Sequence, residues 1–575
     1  MNLYSDYRKK FKNFLEILKN KNIINLPENF ITVSVEPPPK NYQSDISCNV
    51  AMVLSRFNKK NPIDLATLLK KHFSENFSEF ENIDVVKPGF LNFSFKLNFW
   101  RKYIFEIINS DKDYGSNKTN KLKYNIEFVS ANPTGPLHVG HCRGAVLGDV
   151  LSNLLKFNGH IVTKEYYVND FGNQIKNFVY SVYYRICEIK FQKTFPNDKD
   201  FYPGEYIIHI AKKIISKSSI NDFSDIGKIY DVLTKDSLKY SMELIKDNLN
   251  ILGIKHDIFV KESDLVNSNS VSKVLKKLQN RKYVYKGKLS PPKGELNKNW
   301  KSRELLLFAS TKFGDDTDRA LQKNDDEWTY FASDIAYHSN KVDRKFDVLI
   351  NILGADHSGY IKRINAAVKA VSNNKMDLIC KISQLVKLFK NGKPFKMSKR
   401  KGDYITVEDL IKEVGKDSTR FMMLNRSNDV ELDFDFKKVL EKSKENPVFY
   451  VQYAYARINS IFSVLKLNLD DNIEINSKDF DPNSHEIKIL KKISEWPKCI
   501  ELSSAKLEPH RIPFFLYDLS TLFHSYWNLG KENEKLRFIL KNNSYNKSRL
   551  IILKAIAIVI KNGMSILGVS TPKSM

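Results

Sequence analysis

The sequence predicts a chain in three parts: a small α+β N-terminal domain, a split parallel α/β domain with a helical insertion, and a C-terminal helical bundle. Three observations carry this. Strand–loop–helix grammar occurs twice, at 124–168 and again at 348–371, around a Lys-rich and mostly helical stretch. The first 105 or so residues mix helical periodicity with one alternating strand, and beyond about 441 no strand pattern recurs. The length of 575 residues suits roughly three to five domains. Apolar residues make up 42% of the chain, which excludes a disordered class. Lys and Arg number 92 against 66 Asp and Glu, a net charge of +26. That excess points to a polyanion, nucleic acid first, although Lys and Asn are abundant everywhere and drift in composition fits too. The five cysteines form no CxxC pair and are odd in number, which disfavours a disulfide framework or a Cys-based zinc site and suits a reducing cytoplasm. The late apolar run Leu550 to Ile560 is interrupted by Lys554 and is too short for a bilayer span, and the N-terminal stretch lacks the apolar core of a signal peptide.

Taken in order, Phe11, Phe14, Leu15 and Leu18 recur at helical spacing, and a Pro-rich stretch follows from Glu36 to Ser44. Helical runs are expected around Val50 to Phe57 and Leu65 to Phe73, and FLNFSFKL (Phe90 to Leu97) alternates like a half-buried strand. Asp111 to Lys121 reads as a linker, so the first domain is expected over 1–110. The α/β domain is expected over 120–390. It opens with a strand at Tyr124 to Val129, a turn-rich SANPTGPL segment, and a helix bearing Val139, Cys142, Val146, Val150 and Leu154 on one face. Asn158-Gly159 ends that helix, and a second strand runs from Ile161 to Val168. The insertion spans about 186–300. The strand Val348 to Leu353 and a helix with Ile361, Ile364, Ala367, Val368 and Val371 complete a split, Rossmann-like nucleotide-binding fold. A connecting region at 391–440 leads to helices over 441–575.

Two motifs carry chemistry. His138-Val139-Gly140-His141 stands where a strand hands over to a helix, and a helix N-terminus offers N–H groups and partial positive charge to an anion. Gly140 lets a flat base approach the backbone, and two imidazoles three residues apart can donate to phosphate oxygens. Two ordinary histidines, or a His–His metal pair, fit the same four residues; no third ligand sits at helical spacing nearby. The second motif, Lys396-Met397-Ser398-Lys399, follows the turn dipeptide Asn391-Gly392 and precedes Thr406-Val407-Glu408-Asp409, a helix-capping pattern. Its two ammonium groups can meet the charge that develops on a pyrophosphate leaving group. Taken alone it also fits a solvated basic loop.

The pair of motifs, about 250 residues apart in an α/β setting, resembles a class I aminoacyl-tRNA synthetase. The surrounding residues narrow the resemblance. EFVSANPTGPLHVGH (127 to 141) is similar to the signature of the arginyl-tRNA synthetase family, bacterial type. So are YYVNDFGNQI (166 to 175), WTYFASDIAYH (328 to 338), GADHSGYIKR (354 to 363), NPVFYVQYAYARI (446 to 458) and the ending LGVSTPKSM. The similarity covers nearly the whole chain and is thinnest in the insertion and between about 460 and 545.

That resemblance implies an arginine–tRNA ligase. ATP serves as substrate with Mg²⁺ riding on it, no structural metal is implied, and the further partners are L-arginine and tRNA(Arg). His138, His141, Lys396 and Lys399 would be catalytic; with Gly140, Met397 and Ser398 they would hold ATP. A guanidinium calls for carboxylates, and the family places arginine at positions matching Glu127, Asn132, His138, Tyr330, Asp334 and His357, the last a position where some members carry Gln. Tyr330 and Asp334, four apart, share a helical face. Tyr450, Tyr453 and Arg457, beside Phe449 and Tyr455, can stack on bases or pair with phosphate in an anticodon-binding bundle, and helix core is the competing reading. The N-terminal domain would touch the outer corner of tRNA. The resemblance further implies a cytoplasmic, membrane-free and usually monomeric protein. Three other readings are weaker. A nucleotidyltransferase acting without tRNA leaves the long helical tail unexplained. A dead RNA-binding paralogue is at odds with two intact motifs. Glutamyl or cysteinyl specificity conflicts with an acidic niche and with the missing Cys ligands.

Overall fold

The Asn2 side chain accepts hydrogen bonds from the backbone of Tyr4 and Ser5 and so starts the helix Leu3–Asn20. That helix lays Tyr7 and Phe11 against Phe95 and Phe93. The sheet beneath is antiparallel, in the order Val35–Glu36, Ile46–Cys48, Phe90–Phe95, Phe80–Val86. The computed structural model describes residues 2–39, 41–288, 304–323, 327–395, 405–471, 479–540 and 544–575. They form two compact units, Met1–Asn117 with Lys442–Met575, and Lys118–Glu441.

In the first unit the two ends of the chain share one body. The C-terminal helices are Pro447–Val464, Ser484–Ser494, Trp496–Lys506, Arg511–Glu532 and Lys547–Leu567. The stretch read as a linker is in part a buried joint. Tyr114 is fully buried, its hydroxyl donates to the Ile493 carbonyl, and Trp496 Nε1 donates to the Tyr114 carbonyl at 3.0 Å. A single aromatic in a polar run has no periodicity to announce it; its partners lie almost 400 residues away. The last helix, 21 residues, is longer than the apolar run that marks it in sequence, and by length and composition it could cross a membrane. Here 89% of its most apolar window is buried, so it serves as the core helix of this unit.

The second unit bears out the split α/β expectation, and its elements are numbered here. Five parallel strands are β1 (Lys123–Glu127), β2 (Ile161–Val168), β3 (Ile258–Lys261), β4 (Val348–Gly354) and β5 (Leu378–Ser383), in the spatial order β5-β4-β1-β2-β3. Helix α1 (Val139–Phe157) crosses from β1 to β2. Helices α2 (Asn173–Phe191), α3 (Glu205–Lys217) and α4 (Ile226–Ile251) precede β3; α5 (Glu262–Asn267) follows it directly; α6 (Tyr330–Asp343) leads to β4 and α7 (Ile361–Ser372) to β5. Sequence order reverses between β1 and β4, and a sheet of this kind binds ligands beyond the strand ends at that reversal.

Two sequence expectations change. The stretch read as an insertion over 186–300 contains β3, a four-residue edge strand with no alternation to reveal it. Helix α1 is buried around most of its circumference, where one apolar face was expected. Its polar residues are satisfied individually. Arg143 donates to the carbonyls of Gln384, Val430 and Ser427, and Asp149 accepts from Arg420 and Lys164, both at 2.5 Å. Gly148 lets the helix sit on Phe128, because a Cβ there would lie 2.2 Å from the ring.

Gly115 adopts φ +96°, and a Cβ there would come within 2.5 Å of Trp496 Nε1. Gly115→Ala combines left-handed backbone with overpacking, so it should destabilise the first unit by about 2 kcal/mol or more. Urea unfolding followed by Trp fluorescence measures this, and a midpoint equal to wild type would contradict the joint described here.

Candidate active site

The SANPTGPL loop leaves β1 through two strained residues, Val129 at φ 72° and Ser130 at φ 41°. It ends at His138, the N-cap of α1. The His138 ring Nδ1 accepts from Gly140 N–H at 3.1 Å, and His141 Nδ1 accepts from His138 N–H at 3.3 Å, a reciprocal capping box built from two imidazoles. The ring centroids stand 4.0 Å apart. Because each Nδ1 accepts, each neutral ring carries its proton on Nε2. Gly140 has a second reason to be glycine beyond access for a base: a Cβ would lie 2.8 Å from His138 Cε1.

The motif Lys396, Met397, Ser398 and Lys399 lies outside the described residues. Its flanks do not. On one side Val386–Lys390 and Lys393–Phe395 form the hairpin that Asn391-Gly392 predicts, and both turn residues adopt positive φ. On the other, Thr406 and Asp409 form the predicted capping box. The first described residues beyond the motif, Ile405 to Val407, run beside the HxGH segment: Val139 N–H donates to Ile405 O at 3.1 Å, Val407 N–H donates to Leu137 O at 2.9 Å, and His138 pairs with Thr406.

At the strand ends the acidic niche takes shape. Glu127, the last residue of β1, is buried and already paired: Lys341 Nζ of α6 donates to it at 2.5 Å and Ser130 Oγ at 3.0 Å. Lys341 also donates to Asn351 of β4 at 2.9 Å. Asp334, half-buried on α6, accepts from the Tyr360 hydroxyl. Burial and the nearby charge of Glu127 raise its pKa to about 7. Glu262, the first residue of α5, is buried, and burial together with the charge of Asp334 raises it to about 7 as well. Glu262 Oε2 has no hydrogen-bond partner, and neither carboxylate is ion-paired among the described residues. Beneath them His338 is held neutral by burial and by Lys341, with a pKa of about 4.

The other predicted positions divide. Asn132 is fixed on both sides, donating to Gln174 at 2.6 Å and accepting from Asn169 at 3.0 Å. Tyr330 is 59% exposed and stands beside Gly172, one turn before Asp334. His357 is exposed, its nearest partner is Asp356 at 3.6 Å, and it has no hydrogen bond to the niche acids among the described residues. Sequence reading missed Lys341, Tyr360 and Glu262. Tyr360 lay in a quoted motif without a role, and Glu262 lay in the stretch read as insertion.

In the other unit, Arg457 lies between the rings of Tyr453 (4.1 Å) and Trp527 (4.8 Å) and donates to the Tyr453 hydroxyl at 2.8 Å. Tyr450 packs on His524 at 4.3 Å. The three residues thus form one half-buried aromatic cluster across two helices, with Trp527 and His524 as unpredicted members.

A parallel sheet that reverses between β1 and β4, a first crossover helix opening on HxGH, and a separate helical bundle define the class I aminoacyl-tRNA synthetases. Residues 103–463 match the family "tRNA synthetases class I (R), catalytic domain", 451–575 the DALR anticodon binding domain, and 5–95 the arginyl tRNA synthetase N terminal domain. The chain is 57% identical to the arginine–tRNA ligase of Pelagibacter ubique and 42% identical to that of Wolbachia pipientis wMel, in each case over 100% of both chains. It also shares the fold of Thermus thermophilus arginyl-tRNA synthetase, with a TM-score of 0.74 at 18% identity over 99% of this chain and 100% of that one. The chain belongs to the arginyl-tRNA synthetase family.

Both imidazoles should show the Nε2–H tautomer at neutral pH in ¹⁵N correlation spectra of His-labelled protein. Gly140→Ala should push the His138 ring off its cap, costing about 1 kcal/mol. A spectrum with Nδ1–H on either ring would refute the capping geometry.

Proposed function

We propose that this chain ligates L-arginine to tRNA(Arg) using ATP, and that the observation carrying its specificity is the pair Asp334 and Glu262. Two carboxylates lie close in a largely enclosed place and neither has a bonded cation, so the pKa of each is raised to about 7. A guanidinium, planar and permanently charged, relieves both at once. Tyr360 holds one Asp334 oxygen and orients the other. Lys341 sets the share of Glu127 in the same way, leaving it to meet the substrate from the β1 side with Asn132. Tyr330 covers the guanidinium from the mouth of the niche, and His357 serves the outer end of the substrate.

The reaction needs no side-chain nucleophile. A carboxylate oxygen of arginine attacks the α-phosphorus of ATP; the new O–P bond forms as the bond to the bridging oxygen breaks, and pyrophosphate leaves with its Mg²⁺. His138 and His141 donate from Nε2 to phosphate oxygens. Lys396 and Lys399, beside Met397 and Ser398, neutralise the charge growing on the leaving group. A ribose hydroxyl of the terminal tRNA adenosine then attacks the arginyl carbonyl, and AMP leaves. Support for this joint grip comes from the pairing of Leu137–Val139 with Ile405–Val407, because Ile405, only six residues after Lys399 in sequence, lies beside the histidine segment.

The Tyr450–Tyr453–Arg457 cluster gives unpaired anticodon bases a stacking face, and the N-terminal sheet domain adds a second contact with tRNA. All five cysteines are free, which suits work in the cytoplasm, and the family resemblance is to a monomer.

Asp334→Asn and Glu262→Gln should each raise the arginine KM by roughly ten- to a hundredfold, the worth of one charge-assisted bond, with the ATP KM near wild type. Aminoacylation kinetics decide; an unchanged arginine KM would remove the pair from the site. Both pKa values stand at about 7 in the free protein, and a bound cation lowers them. Arginine binding at pH 7 should therefore release protons, and its affinity should rise with pH up to the region of those values and then level off. Calorimetry in buffers of different ionisation enthalpy reads the release, and proton uptake would have the wrong sign.

A further inference from the structure

The loop from Ser130 to Leu137 has no regular structure, so its backbone groups must find partners elsewhere. On the sheet side Tyr166 of β2 donates to the Ala131 carbonyl at 2.7 Å, and Val407 N–H donates to Leu137 O. Two further side-chain bonds to its backbone come from the helical insertion. Tyr206, in the first turn of α3, donates its hydroxyl to the Thr134 carbonyl at 2.8 Å. Its ring lies flush on the loop, since a Cβ at Gly135 would come within 3.1 Å of it. Asn248, in the last turn of α4 and 2% exposed, accepts the Leu137 N–H on its Oδ1 at 2.9 Å. These two bonds bracket the reacting end of the site: Thr134 stands two residues after Asn132, and Leu137 stands one residue before His138.

The insertion is rigid enough to act as a support. Helices α2, α3 and α4 enclose a core of their own that includes Val182, Ile207, Ile210, Ile214 and Leu233. Immediately after α4, Leu252 O accepts from Arg420 Nη1 at 2.9 Å, and the other end of that guanidinium holds Asp149 of α1. Arg420 thereby joins the middle of α1 to the C-terminal end of α4, and Asn248 joins the last turn of α4 to the approach of α1. Asn is a poor helix former, and a buried one needs a partner to offset its desolvation; here the partner is the loop.

We infer that the helical insertion is a second scaffold for the active-site loop, and that Tyr206 and Asn248 are positioning residues for Asn132 and His138. The inference rests on the function proposed above. Catalysis by placement is sensitive to such supports, because a displacement of about 1 Å at a reacting group costs on the order of a hundredfold in rate. Neither residue touches the reacting atoms; each fixes a backbone group of the loop that does.

Arginine-dependent ATP–pyrophosphate exchange in the presence of tRNA(Arg) tests this on the full chain. Asn248→Leu keeps the side-chain volume and removes the acceptor; Asn248→Asp keeps the acceptor; Tyr206→Phe removes only a hydroxyl. Asn248→Leu should lower kcat by roughly ten- to a hundredfold, with a smaller change in the arginine KM, and Asn248→Asp should recover most of that loss. Tyr206→Phe, whose fold is least at risk, should lower kcat by about fivefold at an unchanged melting temperature. Wild-type kcat in folded Asn248→Leu or in Tyr206→Phe overturns the inference, and so does failure of Asn248→Asp to recover activity. A wild-type protein with no arginine-dependent exchange overturns the proposed function instead, so the two failures are told apart.

Discussion

A single buried ammonium ties the second unit together at its functional end. Lys341 of α6 is bonded at once to Glu127, which ends β1, and to Asn351 of β4, the two strands between which the sheet reverses. Removing Lys341 or Glu127 would leave an unmatched charge in the interior, a large penalty compared with the stability of a typical domain. The contact therefore does more than hold a helix on a sheet. It fixes the phase of α6, and with it the direction in which Asp334 points, seven residues earlier on the same helix. Arg344, one turn further on, repeats the device against Glu165 of β2 with two bonds at 2.7 and 2.9 Å.

The same contact divides the acids by role. Glu127 has its cation built in. Asp334 and Glu262 do not, and burial, joined by the charge of Glu127 on Asp334 and of Asp334 on Glu262, raises both. Elsewhere buried ions are matched directly, Arg143 by three carbonyls and Asp149 by two cations, whereas this pair has no ion-pair partner among the described residues. The histidines show the opposite economy: both rings spend Nδ1 on holding the helix start, which leaves the proton of each neutral ring on Nε2.

The first unit follows a different logic. Its polypeptide is discontinuous, and the joint at Tyr114, Trp496 and Asn562 joins segments from opposite ends of the sequence. The apolar helix Lys547–Leu567 is buried by this arrangement, which is how a segment apolar enough for a membrane serves as a protein core. The Arg457 cluster joins two helices of this unit. Tyr453 and Arg457, at i and i+4, meet as periodicity requires, but Trp527 and His524 of another helix complete the stack.

What the chain's own pattern determined was local. Period-two and period-3.6 spacing placed β1, β2, β4, α1 and α7; Asn391-Gly392 and Thr406–Asp409 specified a turn and a cap; and HxGH placed two imidazoles at a helix start, because all of these depend on neighbours a few residues apart. Tertiary structure alone decided which charges are compensated. Glu127 and Lys341 are 214 residues apart, and Glu262 and Asp334 lie on separate helices. Burial, which sets the protonation of both acids, exists only once the sheet is assembled. The short edge strand β3 and the grip of Tyr206 and Asn248 on the loop were equally invisible in sequence. A four-residue strand has no period to read, and a side-chain bond to a distant backbone leaves no trace in spacing.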